Sequence, residues 1–402
     1  MEINLVSLKY RLRALTVFAD LKNDPVIRSL SDFLFWIDNK DCQTEQVEFY
    51  TSFVEAIFNS DSGHLGKHIE SLCCDCENVY VKQIGCGKTP NEHIVSAAKT
   101  ELQTLQTVAH LTKEDLCGSI EWKAYLPSFP SGQVDIAASF AKRTENIAKY
   151  GYGIYAKNRM FYIDESGAIV PVKHPDPSTL SMLVDYEAER RIVIDNTKAL
   201  IAGKPAANIL LTGDAGTGKS STVKAVVNEL YGEGLRIIEV RKDQLCAIPK
   251  ILDELANNPL KFILFIDDLS FLRDDDNFNA LKAVLEGSVS AKSRNVVIYA
   301  TSNRRHIIKE KFSDREGDDV HRNETLQELI SLSERFGIHI TFGKPTKQTY
   351  LHIVKHLATD VGIVMDDKEL ELLAERFALG RGGRSARLAR QFVDGLISAK
   401  TE

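Results

Sequence analysis

Hydrophobic positions follow two different patterns along the 402-residue chain, and the change comes near residue 150. Before it, segments such as 26–37 and 46–58 carry apolar residues at helical spacing, so residues 1–150 are predicted to be mostly helical. From residue 208 onward, short runs rich in β-branched residues alternate with helical segments. These runs are 208–212, 235–240, 261–267, 295–302 and 338–342. Continuous apolar strands that alternate with helices predict an α/β domain with a parallel sheet covered on both faces.

Shorter patterns flank the predicted sheet. Residues 151–172 alternate aromatic and apolar residues around an Asp-Glu-Ser-Gly turn, which is typical of a β-hairpin. The run HPDPS at 174–178 predicts a linker, because two closely spaced prolines discourage helix and strand alike. From residue 345 the apolar positions return to helical spacing, and glycines interrupt them before a last helix. The expected regions are 1–150 (helical), 151–179 (hairpin and linker), 180–344 (α/β domain) and 345–402 (helical domain).

Composition and charge limit the class of protein without naming a function. Hydrophobic residues make up 44% of the chain and charged residues 26%, as in an ordinary globular protein. The formal net charge of -6 gives no overall basic field for nucleic acid. No apolar run approaches the roughly 18 residues of a membrane helix. The first residues mix charges into their apolar positions, unlike a signal peptide, so we expect a cytoplasmic protein.

Seven cysteines include a cluster at positions 73, 74, 76 and 86. Cys73 and Cys76 have the C-x-x-C spacing that can hold one side of a zinc site or form a redox pair, but a second such pair is missing. An odd number of cysteines in a chain without an export signal fits reduced thiols. Structural or incidental cysteines are the simpler interpretation, and a metal or redox site is the alternative.

A glycine-rich run after the first predicted strand has the complete P-loop pattern, from Gly213 through Gly218 and Lys219 to Ser220. It follows a strand and opens a segment whose apolar residues fall on one helical face. In such a loop, backbone N–H groups and a lysine meet phosphate oxygens, and the serine hydroxyl ligates magnesium. The alternative is a helix N-terminus that happens to carry Gly and Lys. The predicted ATP-binding residues are Gly213, Asp214, Ala215, Gly216, Thr217, Gly218, Lys219, Ser220 and Ser221.

A second Gly-Lys-Thr run, IGCGKT at 84–89, lacks the upstream half of this motif. Lys82 stands in the position of the first glycine, and Pro90 follows directly. We expect an ordinary turn there.

Two carboxylates and an amide are expected near the P-loop. Asp267 and Asp268 end the run KFILFIDD, and Asn303 ends the next one in ATSN. The carboxyl ends of parallel strands meet at one edge of a sheet, which is also where the P-loop leaves its strand. Hydrolysis needs an acid that holds metal and a group that orients water, and these side chains can supply both. The alternatives are acids that cap a strand and a Thr-Ser-Asn turn.

In this order, the motifs resemble those of an AAA+ ATPase. GDAGTGKSS, FIDD, ATSN, SERFG (333–337) and GGRSARLARQF (382–392) are similar to Walker A, Walker B, sensor 1, the arginine finger and sensor 2. Longer runs, among them YGIYAK, KPAANILLTGDAGTGKSSTVKA and FSDREGDDVHRNETLQE, resemble a bacterial family of AAA+ ATP-binding proteins defined as a domain of unknown function. The resemblance implies a sheet of order 5-1-4-3-2 followed by a helical lid.

The resemblance also implies roles at the predicted sheet edge. Asp267, with Ser220, would hold magnesium. Asp268 would occupy the place where most AAA+ proteins have the glutamate that activates water, so the chain departs from the family pattern by one methylene. Asn303 would hold the attacking water.

Two arginines complete the site that the resemblance implies. Arg335 resembles the finger that reaches the γ-phosphate bound by a neighbouring subunit, and an exposed arginine at a helix end is the alternative. Arg387 fits the sensor 2 position on the lid, with Arg384 as a close competitor.

These features favour an oligomeric AAA+ ATPase that hydrolyses Mg-ATP to remodel an unknown protein or nucleic-acid client, recruited by the N-terminal region. The shorter Asp268 favours an alternative, a slow or non-hydrolysing nucleotide-dependent switch or scaffold. A DNA-associated loader is a third possibility. It rests on the basic residues of 303–311, for which solvated charge is the simpler account.

Overall fold

The computed structural model describes residues 3–37, 43–117, 120–121, 123–269, 276–286, 294–303 and 334–400. The chain divides into two compact units, Met1–Lys157 and Asn158–Glu402. Among the helices of these described ranges, none is both long and apolar enough to cross a membrane.

The first unit is helical, as predicted. Its helices are α1 (Leu5–Arg13), α2 (Pro25–Trp36), α3 (Gln43–Phe58), α4 (Leu65–Asp75), α5 (Val79–Gly85), α6 (Glu92–Ala109), α7 (Lys113–Cys117), α8 (Ile136–Glu145), α9 (Ile147–Tyr150) and α10 (Ile154–Lys157). Local sequence fixes where α2 begins, because Asp24 accepts hydrogen bonds from the N–H groups of Val26 and Ile27 and Pro25 takes the first helical position. Apolar faces of helices α1 to α9 share one buried core.

The cysteine cluster lies in this helical unit. Cys73 is fully buried, and burial raises the pKa of its thiol well above the usual value. Burial also raises the pKa of Cys76 to about 12. The Cys76 Sγ donates to the Cys73 carbonyl oxygen. No group of three or more His, Cys, Asp or Glu side chains within the described ranges is arranged to hold a metal ion. These two thiols are therefore protonated and unreactive at neutral pH.

The second Gly-Lys-Thr run begins with the last two residues of helix α5 instead of after a strand. Helix α6 begins only at Glu92, where Asn91 caps it by accepting from the Ile94 N–H. The run is therefore a connection between two helices, without the strand that a P-loop needs.

The β-hairpin begins later than the sequence predicts. Residues 151–157 belong to the helical unit, and the antiparallel pair consists of β1 (Met160–Ile163) and β2 (Ile169–Pro171). Tyr152, Tyr155 and Ala156 are all buried. Residues 154–157 form the one-turn helix α10, so this part of the run does not continue the strand alternation that the sequence predicts.

The second unit contains one seven-stranded sheet. Its further strands are β3 (Ile209–Gly213), β4 (Leu235–Glu239), β5 (Lys261–Ile266), β6 (Val296–Ser302) and β7 (Ile338–Phe342). The strand order is β2-β1-β4-β5-β6-β3-β7, and every pair except β1–β2 is parallel. Counted from the P-loop strand β3, the order of the five parallel strands β3 to β7 is 5-1-4-3-2, which confirms the prediction. The hairpin extends this sheet through β1, which pairs with β4.

Helices cover the sheet and form a separate bundle after it. They are α11 (Glu187–Ile201), α12 (Lys219–Leu230), α13 (Ile248–Leu255), α14 (Asp276–Glu286), α15 (Lys347–Asp360), α16 (Asp367–Gly380) and α17 (Ala386–Lys400). Buried side chains of α11 and α12 pack on strands of the sheet in one core. Helices α15 to α17 enclose their own core around Tyr350, Val354, Ala374 and Phe392. The expected helical lid is present.

Candidate nucleotide-binding site

The P-loop leaves β3 at a position that only glycine can occupy. Gly213 has a φ of +140°, and a Cβ atom there would lie 2.1 Å from the carbonyl oxygen of Phe342 on β7. Gly216 has a φ of +78° and lies against the lid, where its Cβ would be 3.0 Å from the Cβ of Arg387. Because these contacts are so close, the loop path is fixed by the neighbouring strand on one side and by the lid on the other.

Lys219 opens helix α12 and turns its side chain back under the loop. Its Nζ donates to the carbonyl oxygens of Gly213 (2.9 Å) and Asp214 (2.8 Å) and to Oδ1 of Asn303 (3.1 Å). Burial lowers the pKa of Lys219, although nearby acids, first among them Asp214, oppose this shift. A partly desolvated ammonium is stabilised by an anion, so this is an environment suited to a phosphate group.

Ser220 and Asp267 meet at the carboxyl edge of the sheet. The Ser220 hydroxyl donates to Oδ1 of Asp267 at 2.6 Å, and the same oxygen accepts from the Thr301 hydroxyl at 2.5 Å. One hydroxyl and one carboxylate are a donor set that suits Mg²⁺, which takes few protein ligands and completes its shell with water and phosphate oxygens. The residues predicted to hold magnesium are therefore adjacent, and their chemistry fits that ion.

Asp268 and Asn303 form the next pair along this edge. Asn303 Nδ2 donates to Oδ1 of Asp268 at 2.8 Å, while its own Oδ1 accepts from Lys219. Lys219, Asn303 and Asp268 thus form a continuous hydrogen-bonded chain that links the P-loop, β6 and the turn after β5.

The lid supplies Arg387, at the start of α17. Its backbone N–H donates to the carbonyl oxygen of Gly216 at 3.3 Å. Arg384 has a different environment, because its guanidinium makes two hydrogen bonds, of 2.8 and 2.7 Å, to the Glu375 carboxylate on α16. Of the two competing arginines, Arg387 lines the cavity beside the P-loop, and Arg384 binds the segment before α17 to α16.

These groups surround one cavity of about 840 Å³. Its polar wall holds the P-loop from Ala215 through Thr217 to Ser221, together with Asp267, Asp268, Thr301, Asn303, Arg387 and Arg390. Its apolar wall holds Met182, Leu183, Val184, Ile353 and Leu357. Gly213 and Asp214 are not among the lining residues, and they serve through their carbonyl oxygens on Lys219. A cavity with one polar and one apolar wall suits a ligand that carries phosphates at one end and a flat base at the other.

Arg335 lies beyond the amino ends of the strands, whereas the P-loop lies at their carboxyl ends. It precedes β7, which runs parallel to β3 with Ile209 opposite Ile338 and Gly213 opposite Phe342. At about 3.3 Å per residue, Arg335 is therefore more than about 13 Å from the P-loop along the strand direction. The side chain is half-buried and does not line the cavity.

Several cavity residues were not predicted from the sequence, among them the apolar wall and the polar side chains of Thr301, Arg390 and Tyr186. Thr301 lies two residues before Asn303, and the ATSN run in the sequence could have indicated that it lies near the site. Arg390 follows Arg387 by one helical turn, which is also readable from the sequence. Tyr186 reaches the cavity only through tertiary structure: its hydroxyl donates to the Gly343 carbonyl oxygen at 2.7 Å, across 157 residues of chain. The predicted basic run after Asn303 lies outside the described residues.

A family model described as a protein of unknown function (DUF815) matches residues 156–400. The chain belongs to the DUF815 family. The strand order and the P-loop place this DUF815 chain among proteins with the AAA+ fold.

Among solved structures, it is similar to the RuvB Holliday junction branch migration motor of Thermotoga maritima, with 16% identity and a TM-score of 0.38. That match covers 54% of this chain and 63% of RuvB, less than two thirds of the RuvB chain. A RuvB mutant matches with 16% identity and a TM-score of 0.39, over 54% of this chain and 64% of its own. No curated protein matched the chain.

Proposed function

We propose that this DUF815 protein binds and hydrolyses Mg-ATP and uses the reaction to remodel a client. The observation that carries the proposal is the convergence, in one cavity, of the P-loop lysine, the Ser220–Asp267 pair, the Asp268–Asn303 pair and Arg387. A site that only bound phosphate would need the loop and the lysine. The additional acid and amide are groups that hydrolysis requires.

The P-loop and the two walls of the cavity bind the nucleotide. Backbone N–H groups at the start of α12 and the Lys219 ammonium meet phosphate oxygens, which replace the carbonyl oxygens that Lys219 contacts. Ser220 and Asp267 would hold magnesium, whose positive charge would offset that of the phosphates. The apolar wall around Leu183 and Leu357 covers the base.

Hydrolysis depends on the acid and the amide. The Asp268 carboxylate accepts a proton from the attacking water, and Asn303 orients that water with its amide. The water oxygen bonds to the γ-phosphorus while the bond to the bridging oxygen breaks, so that ADP leaves with that oxygen and phosphate is released. Asn303 already contacts both Asp268 and Lys219, so one side chain connects the proposed general base to the phosphate-binding lysine.

The lid provides a route from chemistry to movement. Arg387 and Gly216 bring lid helix α17 against the P-loop. A change at the γ-phosphate would therefore alter the contact between the lid and the sheet domain. Hinged closure of one domain on another around a ligand is a common way to convert binding into movement.

Arg335 supports assembly into an oligomer. It lies at the sheet edge opposite the P-loop, so it cannot serve the cavity of its own chain without a large rearrangement. A neighbouring copy can receive it instead. We therefore propose a homo-oligomer in which Arg335 completes the adjacent site.

The test is ATP binding and turnover by the Lys219→Ala protein. We expect loss of both, with an unchanged circular dichroism spectrum, because Lys219 contacts polar groups of the site. Lys198→Ala is the matched control, since Lys198 is an exposed lysine on α11. ATP affinity in Lys219→Ala equal to that of the wild type would refute the assignment.

A second candidate function is a nucleotide-dependent switch with negligible turnover. The observation that favours it is the side chain of Asp268, which is shorter than glutamate and whose carboxylate already accepts a hydrogen bond from Asn303. Turnover distinguishes the two functions: a switch would assemble or change partners with ATP while releasing no phosphate.

A further inference from the structure

The turn after β5 has an uncommon backbone. Asp268 has a φ of +53°, a region that L-amino acids enter rarely because Cβ crowds the following carbonyl oxygen. Among residues other than glycine, Asn and Asp adopt it several-fold more often than the rest. The turn directly follows the acid predicted to hold magnesium, so its shape sets the direction of both acidic side chains.

Thr301, on the neighbouring strand β6, holds this turn at three points. Its Oγ1 accepts from the Asp268 N–H at 3.0 Å and donates to the Asp267 carboxylate at 2.5 Å. Its carbonyl oxygen accepts from the Leu269 N–H at 2.7 Å. Thr301 is only 2% exposed. A hydroxyl has one proton to donate and lone pairs to accept, and here both capacities are used.

We propose that Thr301 is a positioning residue that holds the Asp267–Asp268–Leu269 turn in its positive-φ form, and that this form requires aspartate instead of glutamate at position 268. The hydrogen bonds from Thr301 to three successive residues stabilise the positive φ of Asp268, which is otherwise an unfavourable conformation. The inference about the turn stands independently, and its catalytic consequence rests on the proposed function.

The contact with Asn303 supports the second half of this inference. The Asp268 carboxylate reaches the Asn303 amide at 2.8 Å from its present backbone position. A glutamate would carry its carboxylate one carbon–carbon bond farther and would disfavour the positive φ. The short acid is therefore fitted to this turn. The departure from the AAA+ sequence pattern is thus matched to the backbone of this turn.

The first experiment measures hydrogen exchange of the Asp268 and Leu269 amides in the full chain without added nucleotide. Thr301→Val keeps the shape of the side chain but removes the hydroxyl, and we expect exchange to accelerate about tenfold or more. Thr301→Ser keeps the hydroxyl and should remain within about threefold of the wild type. Asp268→Glu should accelerate exchange like Thr301→Val, whereas Asp268→Asn, which tolerates the same φ, should not.

Unchanged exchange in Thr301→Val or in Asp268→Glu would overturn the inference. The second measurement is steady-state turnover: Asp268→Glu should lower kcat instead of raising it, and Thr301→Ser should recover the kcat that Thr301→Val loses. A higher kcat in Asp268→Glu would also overturn the inference. If the wild type releases no phosphate while the exchange results hold, the positioning role stands and the proposed hydrolysis fails.

Discussion

Two lid arginines that lie three residues apart in sequence have separate environments. Arg387 faces the P-loop cavity, and Arg384 binds Glu375 within the lid. We predict that Arg387→Ala lowers ATP turnover about 10²-fold, the typical loss when one charge-stabilising donor is removed. The lid should keep its fold in this variant. The measurement is steady-state phosphate release, together with the unfolding temperature.

Arg384→Ala is the matched comparison. It breaks the two hydrogen bonds to Glu375, so we expect a lower unfolding temperature and a smaller effect on turnover in protein that remains folded. Equal losses of turnover in the two variants, at equal stability, would contradict the separation of roles.

Most of the candidate site could be predicted at this scale because the P-loop and the acids are short contiguous motifs. The environments of Arg384 and Arg387 could not, since both suit the sensor 2 position by sequence, and only the structure shows that Arg384 precedes α17 and binds Glu375. The backbone of Asp268 was also out of reach. A positive φ at one aspartate leaves no pattern in the sequence, and the strand that holds the turn lies over thirty residues away.

Between elements, the linker is tied to the helix that begins at the P-loop. Asn228 on α12 donates to the carbonyl oxygens of Asp176 (2.9 Å) and Ser178 (2.7 Å). The chain then continues to Leu183, which lines the apolar wall of the cavity. Helix α12 thus positions part of the cavity that it does not itself form.

We predict that Asn228→Ala weakens ATP binding several-fold and destabilises the unit by about 1–2 kcal/mol, since two partly buried carbonyl groups lose their donor. Isothermal titration and chemical unfolding measure these effects. Glu229→Ala is the control, because Glu229 is exposed on the same helix. If Asn228→Ala lost stability but kept full ATP affinity, the linker would not shape the cavity.

The elements themselves were largely readable from the sequence. The runs predicted to be strands of the parallel sheet match β3 to β7, because buried parallel strands are continuous apolar segments bounded by helices. The pairing of β1 with β4 was not predictable. A hairpin signal is local, and the edge that it joins depends on tertiary contacts across more than 70 residues.

At the scale of the whole molecule, the position of Arg335 predicts cooperation between chains. Mixing Arg335→Ala protein with Lys219→Ala protein should restore part of the ATPase activity, because one chain offers an intact cavity and the other an intact arginine. An arginine supplied by a neighbour is worth about 10³ to 10⁵ in rate in related phosphoryl transfer, so each variant alone should be nearly inactive.

Phosphate release, followed as a function of mixing ratio and total concentration, measures this effect. The wild-type rate should rise faster than linearly with concentration. Strict linearity and no recovery on mixing would show that Arg335 does not act between chains.

The β1–β2 hairpin has a consequence for solubility. Strand β4 is apolar and buried along most of its length, and without β1 it would present an open row of backbone donors and acceptors. The outer strand β2 is only three residues long and ends at Pro171, which has no N–H to offer another strand. A fragment cut at residue 180 would keep every ATPase motif but expose β4 to edge-to-edge aggregation. The hairpin therefore leaves no long strand edge on this flank of the sheet to which a second copy could add a strand.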